Sequence, residues 1–530
     1  MLSRSRDLSL SGAPSDVAVQ APSLAGLRLV VSAIDLEQRE HRGIAVYSKA
    51  LLRTLSQAGA EVWLLTEFSA DLQQVALRRL PRPTRSLLQA AQVLDALLCG
   101  RSARSERSLR RQLIQRLPLG QTLLRRWDSG RELCRQLFPR RRFPCAQQVK
   151  LTVHDLTDNP YLQHERLAYL EWVHGIISVP DVYVHSMRLA GQKSGPVAVL
   201  DLSGFDGFIS TCPLNIKACG VSFALQTVHD LIPLEFYQTS DQPSIFARRL
   251  ACCGDAARLF MSTSTASKFR WSIPSGCCPL EDVVVQPPSL HFPRPSPVPA
   301  AELSPLHPIA PAAKKRPSLR PFRYLLFNSS LEPRKNLVYA LKAYRESGLA
   351  RIGVPFCVTG SLKADVYSDE VRRLVQHDPH VILTDFIDES MRRDLFLNAL
   401  ALVSPSLVEG FGIPVLDAAC LGLVVLASPS ASHREIQVMH DFRTYVWLCD
   451  NLDSSQLAAS MRLVVLQDRV NTLNPEERRR QRLHRYRDLQ ERIDQEFRRR
   501  VVRLIRAAMD VQGQSRPWTT EKTAQASGPA

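Results

Sequence analysis

The sequence lacks any long hydrophobic run. Its apolar segments fall far short of the ~20 residues that a membrane-spanning helix requires. The first residues, MLSRSRDLSLSGAPSD, are polar where a secretory signal has an apolar stretch. These absences predict a cytoplasmic protein, and a peripheral position on the inner face of a membrane is compatible with them.

Clustered cysteines and clustered acids are also missing. The twelve cysteines are scattered and none form a C-x-x-C pair, so neither a zinc site nor a disulfide framework is indicated. No acidic D-x-D cluster follows a predicted strand, so no metal is expected. We interpret the chain as a reduced protein without metal or cofactor.

Acidic residues are outnumbered by basic ones. There are 51 Asp and Glu against 68 Lys and Arg, which gives a formal net charge of +17. The arginines lie mainly in two blocks, without a zinc-finger or aromatic-rich pattern, so nucleic acid is not the expected partner. A basic surface that faces phosphate groups or anionic lipid fits this composition as well.

What the sequence does contain is alternation of strands and helices in both halves. At 530 residues, it exceeds what one core usually organises. A β-α-β pattern opens at residue 27, and apolar runs later recur at 324–328, 355–360, 381–386, 401–406 and 423–428. This pattern predicts an α/β protein with two Rossmann-like, doubly wound parallel-sheet domains that face a cleft.

Composition suggests where the domains begin and end. Nine prolines mark residues 293–321 as a linker. We expect a disordered tail at 1–26, an N-terminal domain at 27–292 with an arginine-rich insertion at about 70–148, a C-terminal domain at 322–474, a basic amphipathic helix at 475–512 and a disordered tail at 513–530.

The last helix has two interpretations. From residue 475 to about 509, apolar side chains recur on one stripe and arginine covers much of the rest. The helix either packs across both domains with a solvated basic face or lies on an anionic membrane.

Two sets of polar residues follow strands in the C-terminal half. Glu409 and Asp417 flank a helix start at Gly410 to Pro414, where free backbone N–H groups can receive a phosphate. The alternative is that Glu409 only caps this helix and Asp417 is solvated. Arg334 and Lys335 follow another strand of the same sheet, where they either neutralise a diphosphate or form a solvated basic turn.

These residues resemble a known family. EPRKNL at 332–337 and PSLVEGFGIPVLDAACLG at 405–422 look like the donor signature of the retaining glycosyltransferases of family 4, which have the two-domain B-type glycosyltransferase (GT-B) fold. The resemblance implies that Arg334, Lys335, Gly410 and Gly412 contact the donor diphosphate, and that Glu409 acts at the transferring sugar. It also implies that Asp417 holds the donor ribose, although the family usually has glutamate there.

The N-terminal half resembles the family more thinly. Gly43, after Arg42, looks like the family's N-terminal glycine turn that contacts the donor diphosphate, although Ala45 replaces a second glycine. TVHDLIP at 227–233 resembles the strand end whose histidine, here His229, reaches the donor sugar, and STSTAS at 262–267 resembles the next strand end. The string TVHDL also occurs with His154, which stays open as the alternative.

The resemblance implies a retaining, metal-independent hexosyltransferase. Its partners would be a nucleotide-diphosphate sugar, with GDP-mannose favoured over UDP-hexoses, and a glycan or lipid-linked acceptor in polysaccharide or glycolipid biosynthesis. Peripheral contact with an anionic membrane is compatible with it. Three alternatives stay open: a nucleotide-sugar epimerase of the same fold, a non-catalytic sugar-nucleotide-binding scaffold, and a nucleic-acid-binding protein.

Overall fold

The computed structural model describes most of the chain. The described residues are 23–39, 41, 43–72, 77, 79–100, 139–152, 164–236, 242–252, 256–274, 280–292, 319–363, 365–376, 378–384, 387–450 and 452–514. Most of both predicted tails, most of the proline-rich linker, the centre of the arginine-rich insertion, Arg42 and His154 lie outside them. Leu24, within the tail predicted at 1–26, is described and fully buried.

An eight-stranded sheet forms the N-terminal domain, with the order β11-β10-β9-β7-β1-β2-β5-β4. Its neighbours pair in parallel except β4 and β5. A parallel sheet of order β3-β6-β8 lies beside it. The strands are β1 Arg28–Ser32, β2 Glu61–Thr66, β3 Arg142–Phe143, β4 Val149–Thr152, β5 Gly175–Ser178, β6 Ala198–Asp201, β7 Gly207–Ser210, β8 Ile216–Cys219, β9 Phe223–Val228, β10 Ala257–Phe260 and β11 Glu281–Val283.

Helices connect these strands. They are α1 Ile44–Gln57, α2 Arg82–Cys99, α3 Val182–Gly191, α4 Ile232–Glu235, α5 Pro243–Ala251 and α6 Thr263–Ser272. Helix α2 lies within the segment predicted as an insertion, and its Val93 and Leu94 are fully buried. This part of the arginine-rich segment therefore packs into the domain core.

The C-terminal domain has a six-stranded parallel sheet of order β14-β13-β12-β15-β16-β17. Its strands are β12 Leu325–Asn328, β13 Phe356–Thr359, β14 Val381–Leu383, β15 Ala401–Ser404, β16 Val424–Ala427 and β17 Val446–Leu448. Its helices are α7 Leu337–Ser347, α8 Val366–Gln376, α9 Glu389–Asn398, α10 Ile413–Cys420, α11 Ala431–Gln437 and α12 Ser454–Asp468.

Strand order reverses between β12 and β15. From β12 the chain adds β13 and β14 on one side, then returns to add β15, β16 and β17 on the other. Such a switch point opens a crevice at the carboxyl ends of the strands. The predicted fold class, two Rossmann-like doubly wound domains, is confirmed, and each predicted apolar run of this half coincides with a strand.

A long last helix, α13 Pro475–Gln514, holds the two domains together. On the N-terminal domain, Phe497 packs edge-on against Tyr47, with ring centroids 6.0 Å apart, and Asp494 pairs with Arg53 at 2.8 Å. On the C-terminal domain, Arg482 donates to the carbonyl oxygens of Leu397 and Ala399 at 2.8 and 2.9 Å. The interpretation that this helix packs across both domains agrees with these contacts.

No helix in the described part of the chain combines the length and apolar character needed to cross a membrane.

Truncation of Phe497 tests the packing of α13. Its side chain is 1% exposed, so Phe497→Ala removes buried apolar surface and leaves a cavity between helix and domain. We expect the free energy of unfolding to fall by about 3–5 kcal/mol, measured by urea denaturation. The control Leu466→Ala, at a residue 54% exposed, should cost about 0.5 kcal/mol or less. Equal losses in the two variants would contradict the packing described.

Candidate active site

The switch point brings two loops together. After β12 the chain forms a short 3₁₀ turn at Pro333–Lys335, and after β15 it forms residues 405–412, here called the glycine loop. The N–H of Leu407 donates to the carbonyl oxygen of Arg334 at 2.8 Å. The two segments singled out by sequence are thus joined through their backbones.

A buried ion pair lies between these loops. Lys335 Nζ lies 2.5 Å from Glu409 Oε1, and both side chains are only 9% exposed. Ser406 Oγ donates to the same carboxylate oxygen at 2.8 Å. Arg334 Nη1 lies 3.9 Å from Glu409 Oε2, and its Nε donates to Glu332 at 3.1 Å. Three of the predicted site residues therefore form one cluster.

Opposing effects set the charge of this cluster. Burial alone would raise the pKa of Glu409, but Lys335, then His433 and Arg334, outweigh burial and bring that pKa to about 2. Burial also lowers the pKa of Lys335, and Glu409 opposes that change. Since the carboxyl titrates far below neutrality, Glu409 is an anion beside two cations at neutral pH.

The alternative that Glu409 caps α10 does not fit the geometry. The residue before this helix is Gly412, and no side chain makes a capping hydrogen bond there. The Glu409 carboxylate instead contacts Lys335 and Ser406. Gly412 has a φ of 93°, a left-handed conformation that glycine adopts without steric cost. The start of α10 keeps its N–H groups free of side-chain caps.

His229 directly follows β9 of the opposite domain. Its Nε2 lies 2.7 Å from the carbonyl oxygen of Thr211, and its ring packs edge-on against Tyr47 at 4.8 Å. Burial lowers the pKa of His229 to about 4, so the ring is neutral. Because a carbonyl cannot donate, Nε2 carries the proton and Nδ1 is the acceptor nitrogen.

Asp230, next to His229, meets the glycine loop across the cleft. A Cβ atom added at Gly410 would lie 2.7 Å from Asp230 Oδ2, so only glycine permits this approach. Burial raises the pKa of Asp230, Arg334 opposes this, and Glu409 adds to it. Asp230 was part of the quoted TVHDL string, but no role was predicted for it.

A second contact between the domains involves Glu435 of α11. Its carboxylate accepts hydrogen bonds from the N–H groups of Thr263 and Ser264, both at 2.8 Å. These residues begin α6 and belong to the STSTAS string. The strand ends at 227–233 and 262–267, which resemble the family's N-terminal strand ends, therefore both contact the C-terminal domain.

Two residues after β16, Ser432 and His433, support the glycine loop, and the sequence analysis did not identify them. Ser432 Oγ donates to the carbonyl oxygen of Gly410 at 2.7 Å. His433 is fully buried, and its Nδ1 lies 2.9 Å from the carbonyl oxygen of Ser428. Burial lowers the pKa of His433, and Glu409 opposes that change. The sequence signal that could have indicated them is their position after another strand of the same sheet.

Two predicted residues lie apart from this cluster. Gly43 precedes α1, and among the described residues no atom comes within 4 Å of a Cβ built there. Asp417 is 0% exposed; its Oδ1 accepts from the N–H of Ser289 at 2.6 Å and from the hydroxyl of Tyr486 at 3.0 Å. A ribose contact would require Asp417 to leave these partners, so its role and that of Gly43 stay predictions.

Two facing Rossmann-like domains with a cation pair and a glycine loop at the switch point define the GT-B class of fold. Residues 312–484 match the family model of the glycosyl transferases group 1. The match lies in the C-terminal part of the chain and supports glycosyl transfer in general. No curated protein matches the chain in sequence.

Two solved structures resemble this chain in fold. Sucrose-phosphate synthase from Thermosynechococcus elongatus is 13% identical, with a TM-score of 0.48 over 92% of this chain and 99% of that one. HepE from Anabaena, in complex with UDP and glucose, is 12% identical, with a TM-score of 0.42 over 92% and 100% of the two chains. Because these identities and TM-scores are low, the fold class rests on the family match and on the sheet topology.

Acid should selectively weaken the contribution of Glu409 to stability. Its pKa is about 2 in the folded protein against 4.5 as its ordinary value, so the stabilisation is complete above about pH 4.5 and is lost as the pH falls toward 2. The full effect is about 3 kcal/mol. Urea unfolding of wild type and Glu409→Gln at pH 7, 5, 4 and 3 should give a difference that shrinks below pH 4.5. A constant difference would contradict the ion pair.

Proposed function

We propose that the chain is a retaining, metal-independent hexosyltransferase. It moves a hexose, with mannose from GDP-mannose as the first candidate, from a nucleotide-diphosphate sugar to a glycan or lipid-linked acceptor in polysaccharide or glycolipid biosynthesis. The buried contact of Lys335 with Glu409, 2.5 Å long, carries this proposal because it sets an anion and a cation side by side at the switch point. The nucleotide sugar is a substrate, and no cofactor takes part.

The reaction separates charge at the anomeric carbon. The bond from this carbon to the diphosphate oxygen breaks, and its electron pair stays on the oxygen. An acceptor hydroxyl attacks the carbon from the same face, and its proton passes to the departing oxygen. Negative charge therefore grows on the diphosphate while positive charge grows on the sugar ring.

The cations and the helix start face the growing negative charge. A lysine ammonium has three donors, of which Glu409 takes one, and Arg334 offers a guanidinium fork for phosphate oxygens. The N–H groups near Gly410 and Gly412, at the positive end of the α10 dipole, add further donors. Preorganised donors of this kind supply several kcal/mol of transition-state stabilisation.

Glu409 and His229 act at the sugar. The Glu409 carboxylate is held ionised and can stabilise positive charge on the ring, while Nδ1 of neutral His229 can accept a hydrogen bond from a sugar hydroxyl. Asp230 reaches Gly410 from the same strand end. The domains approach each other at this point, and closure around the donor would exclude water and strengthen each of these interactions.

Substitution of Glu409 separates transfer from mere binding. The donor is first found by thermal shift with GDP-, UDP- and ADP-sugars, since a true donor stabilises the chain. In Glu409→Gln we expect turnover to fall by roughly a hundredfold or more, with nucleoside-diphosphate affinity changed little. Lys335→Ala should lower both turnover and nucleoside-diphosphate affinity. The control Lys342→Ala, at an exposed residue of α7, should change neither quantity.

The melting temperature of each variant is measured as well, because removal of either member of the buried pair leaves the other charge without its partner and destabilises the fold. Normal transfer by a folded Glu409→Gln protein would remove this residue from the mechanism. Donor binding without turnover in the wild type would identify a scaffold, and conversion of the nucleotide sugar without an acceptor would identify an epimerase. Steeply salt-dependent nucleic-acid affinity without donor binding would identify the nucleic-acid-binding alternative.

Chelation tests the leaving-group chemistry. Arg334 and Lys335 supply the positive charge that a divalent ion would otherwise provide. We therefore expect turnover to change by less than twofold in excess EDTA, measured as release of nucleoside diphosphate. Loss of turnover that magnesium or manganese restores would show this part of the proposal to be wrong.

A further inference from the structure

Asp417 lies one turn inside α10, directly behind the glycine loop, and is bound entirely from within the chain. Oδ1 accepts from the N–H of Ser289 at 2.6 Å and the hydroxyl of Tyr486 at 3.0 Å. Oδ2 accepts from the Ser289 hydroxyl and lies 3.7 Å from Arg392 Nη1. Because the side chain is also fully buried, a ligand could reach either oxygen only by displacing these partners.

The partners of Asp417 lie on both connections between the domains. Ser289 belongs to residues 284–292, here called the crossing segment, which follows the edge strand β11 of the N-terminal domain. Tyr486 belongs to α13, which returns to that domain through Phe497. The N–H of Leu290 donates to the Tyr486 hydroxyl at 2.8 Å, so the two connections are also bound to each other.

Arg392 of α9 completes the network. Its Nη2 donates to Ser289 Oγ at 2.8 Å, and it pairs with Glu389 at 3.0 Å. A buried carboxylate is tolerated only where hydrogen bonds and a counter-charge compensate for lost hydration, and Asp417 has both. The side chain is fully buried, so a longer side chain would have to shift these partners.

We infer that Asp417 is a positioning residue that fixes the glycine loop and α10 to the crossing segment and α13, and that the donor ribose is bound by other groups. The inference rests on the proposed function only in treating the glycine loop as part of the donor site. It gives a physical reason for aspartate at this position, because a glutamate carboxylate lies one methylene group further from the backbone and could not keep the same contacts with Ser289 and Tyr486.

The test compares Asp417→Asn, Asp417→Glu, Tyr486→Phe and the double variant Asp417→Asn/Tyr486→Phe in the full chain. Melting temperature should fall by several degrees in Asp417→Asn and Asp417→Glu, and the double variant should lose less than the sum of its two single changes. Hydrogen exchange should accelerate together in residues 405–416 and 284–292. The control Tyr339→Phe removes a tyrosine hydroxyl on α7 that bonds Asp450 and Asp453 and should leave exchange in both segments unchanged.

Nucleotide binding distinguishes positioning from ribose recognition. The probes are UDP and GDP with their 2′-deoxy and 3′-deoxy forms, because a ribose ligand contacts these hydroxyls. We expect the ratio of ribose to deoxyribose affinity to stay within twofold of wild type in every variant. A tenfold loss of that ratio in Asp417→Asn, or tighter binding in Asp417→Glu at an unchanged melting temperature, would overturn the inference.

The two proposals fail in different ways. If the wild type binds neither UDP nor GDP, the proposed donor site is called into question, while melting and exchange still test the network around Asp417. Additive melting changes, or exchange that rises only near the substituted residue, would overturn the network whether or not a nucleotide binds.

Discussion

The contact between Lys335 and Glu409 is the constraint on which the site depends. Each charge has been removed from water, and each is acceptable there only because the other is 2.5 Å away. The backbone bond from Leu407 to Arg334 holds the two loops in register around this pair. The switch point between β12 and β15 opens the crevice at the strand ends, and the ion pair places a positive and a negative charge in it.

Contacts between the domains act on the same loops. Asp230 approaches Gly410 from the N-terminal domain, and Glu435 reaches the start of α6 from the C-terminal domain. On the other side of the glycine loop, Asp417 ties α10 to the two connections between the domains. The loop is therefore held from the cleft and from behind, so its position depends on the arrangement of both domains.

The arginines of the last helix are used in packing as well as in solvation. Arg482 is buried and satisfies carbonyl oxygens at the end of α9, while Arg485 pairs with Asp441 and Arg500 with Asp282. A basic helix face can thus arise from fixed local pairs. The high net charge of the chain does not by itself require an anionic partner for this helix.

Local pattern in the sequence determined the alternation of strands and helices, the extent of α13 and the strand ends that carry Arg334, Lys335 and Glu409, because hydrophobic periodicity and glycine position act over a few residues. Only the tertiary structure decided that Glu409 pairs with Lys335 instead of capping α10, that Asp230 faces Gly410 and that Asp417 is buried against Ser289 and Tyr486. These contacts join residues far apart in the chain, and their energies depend on burial and on the distance between charges. Neither quantity exists before the chain folds.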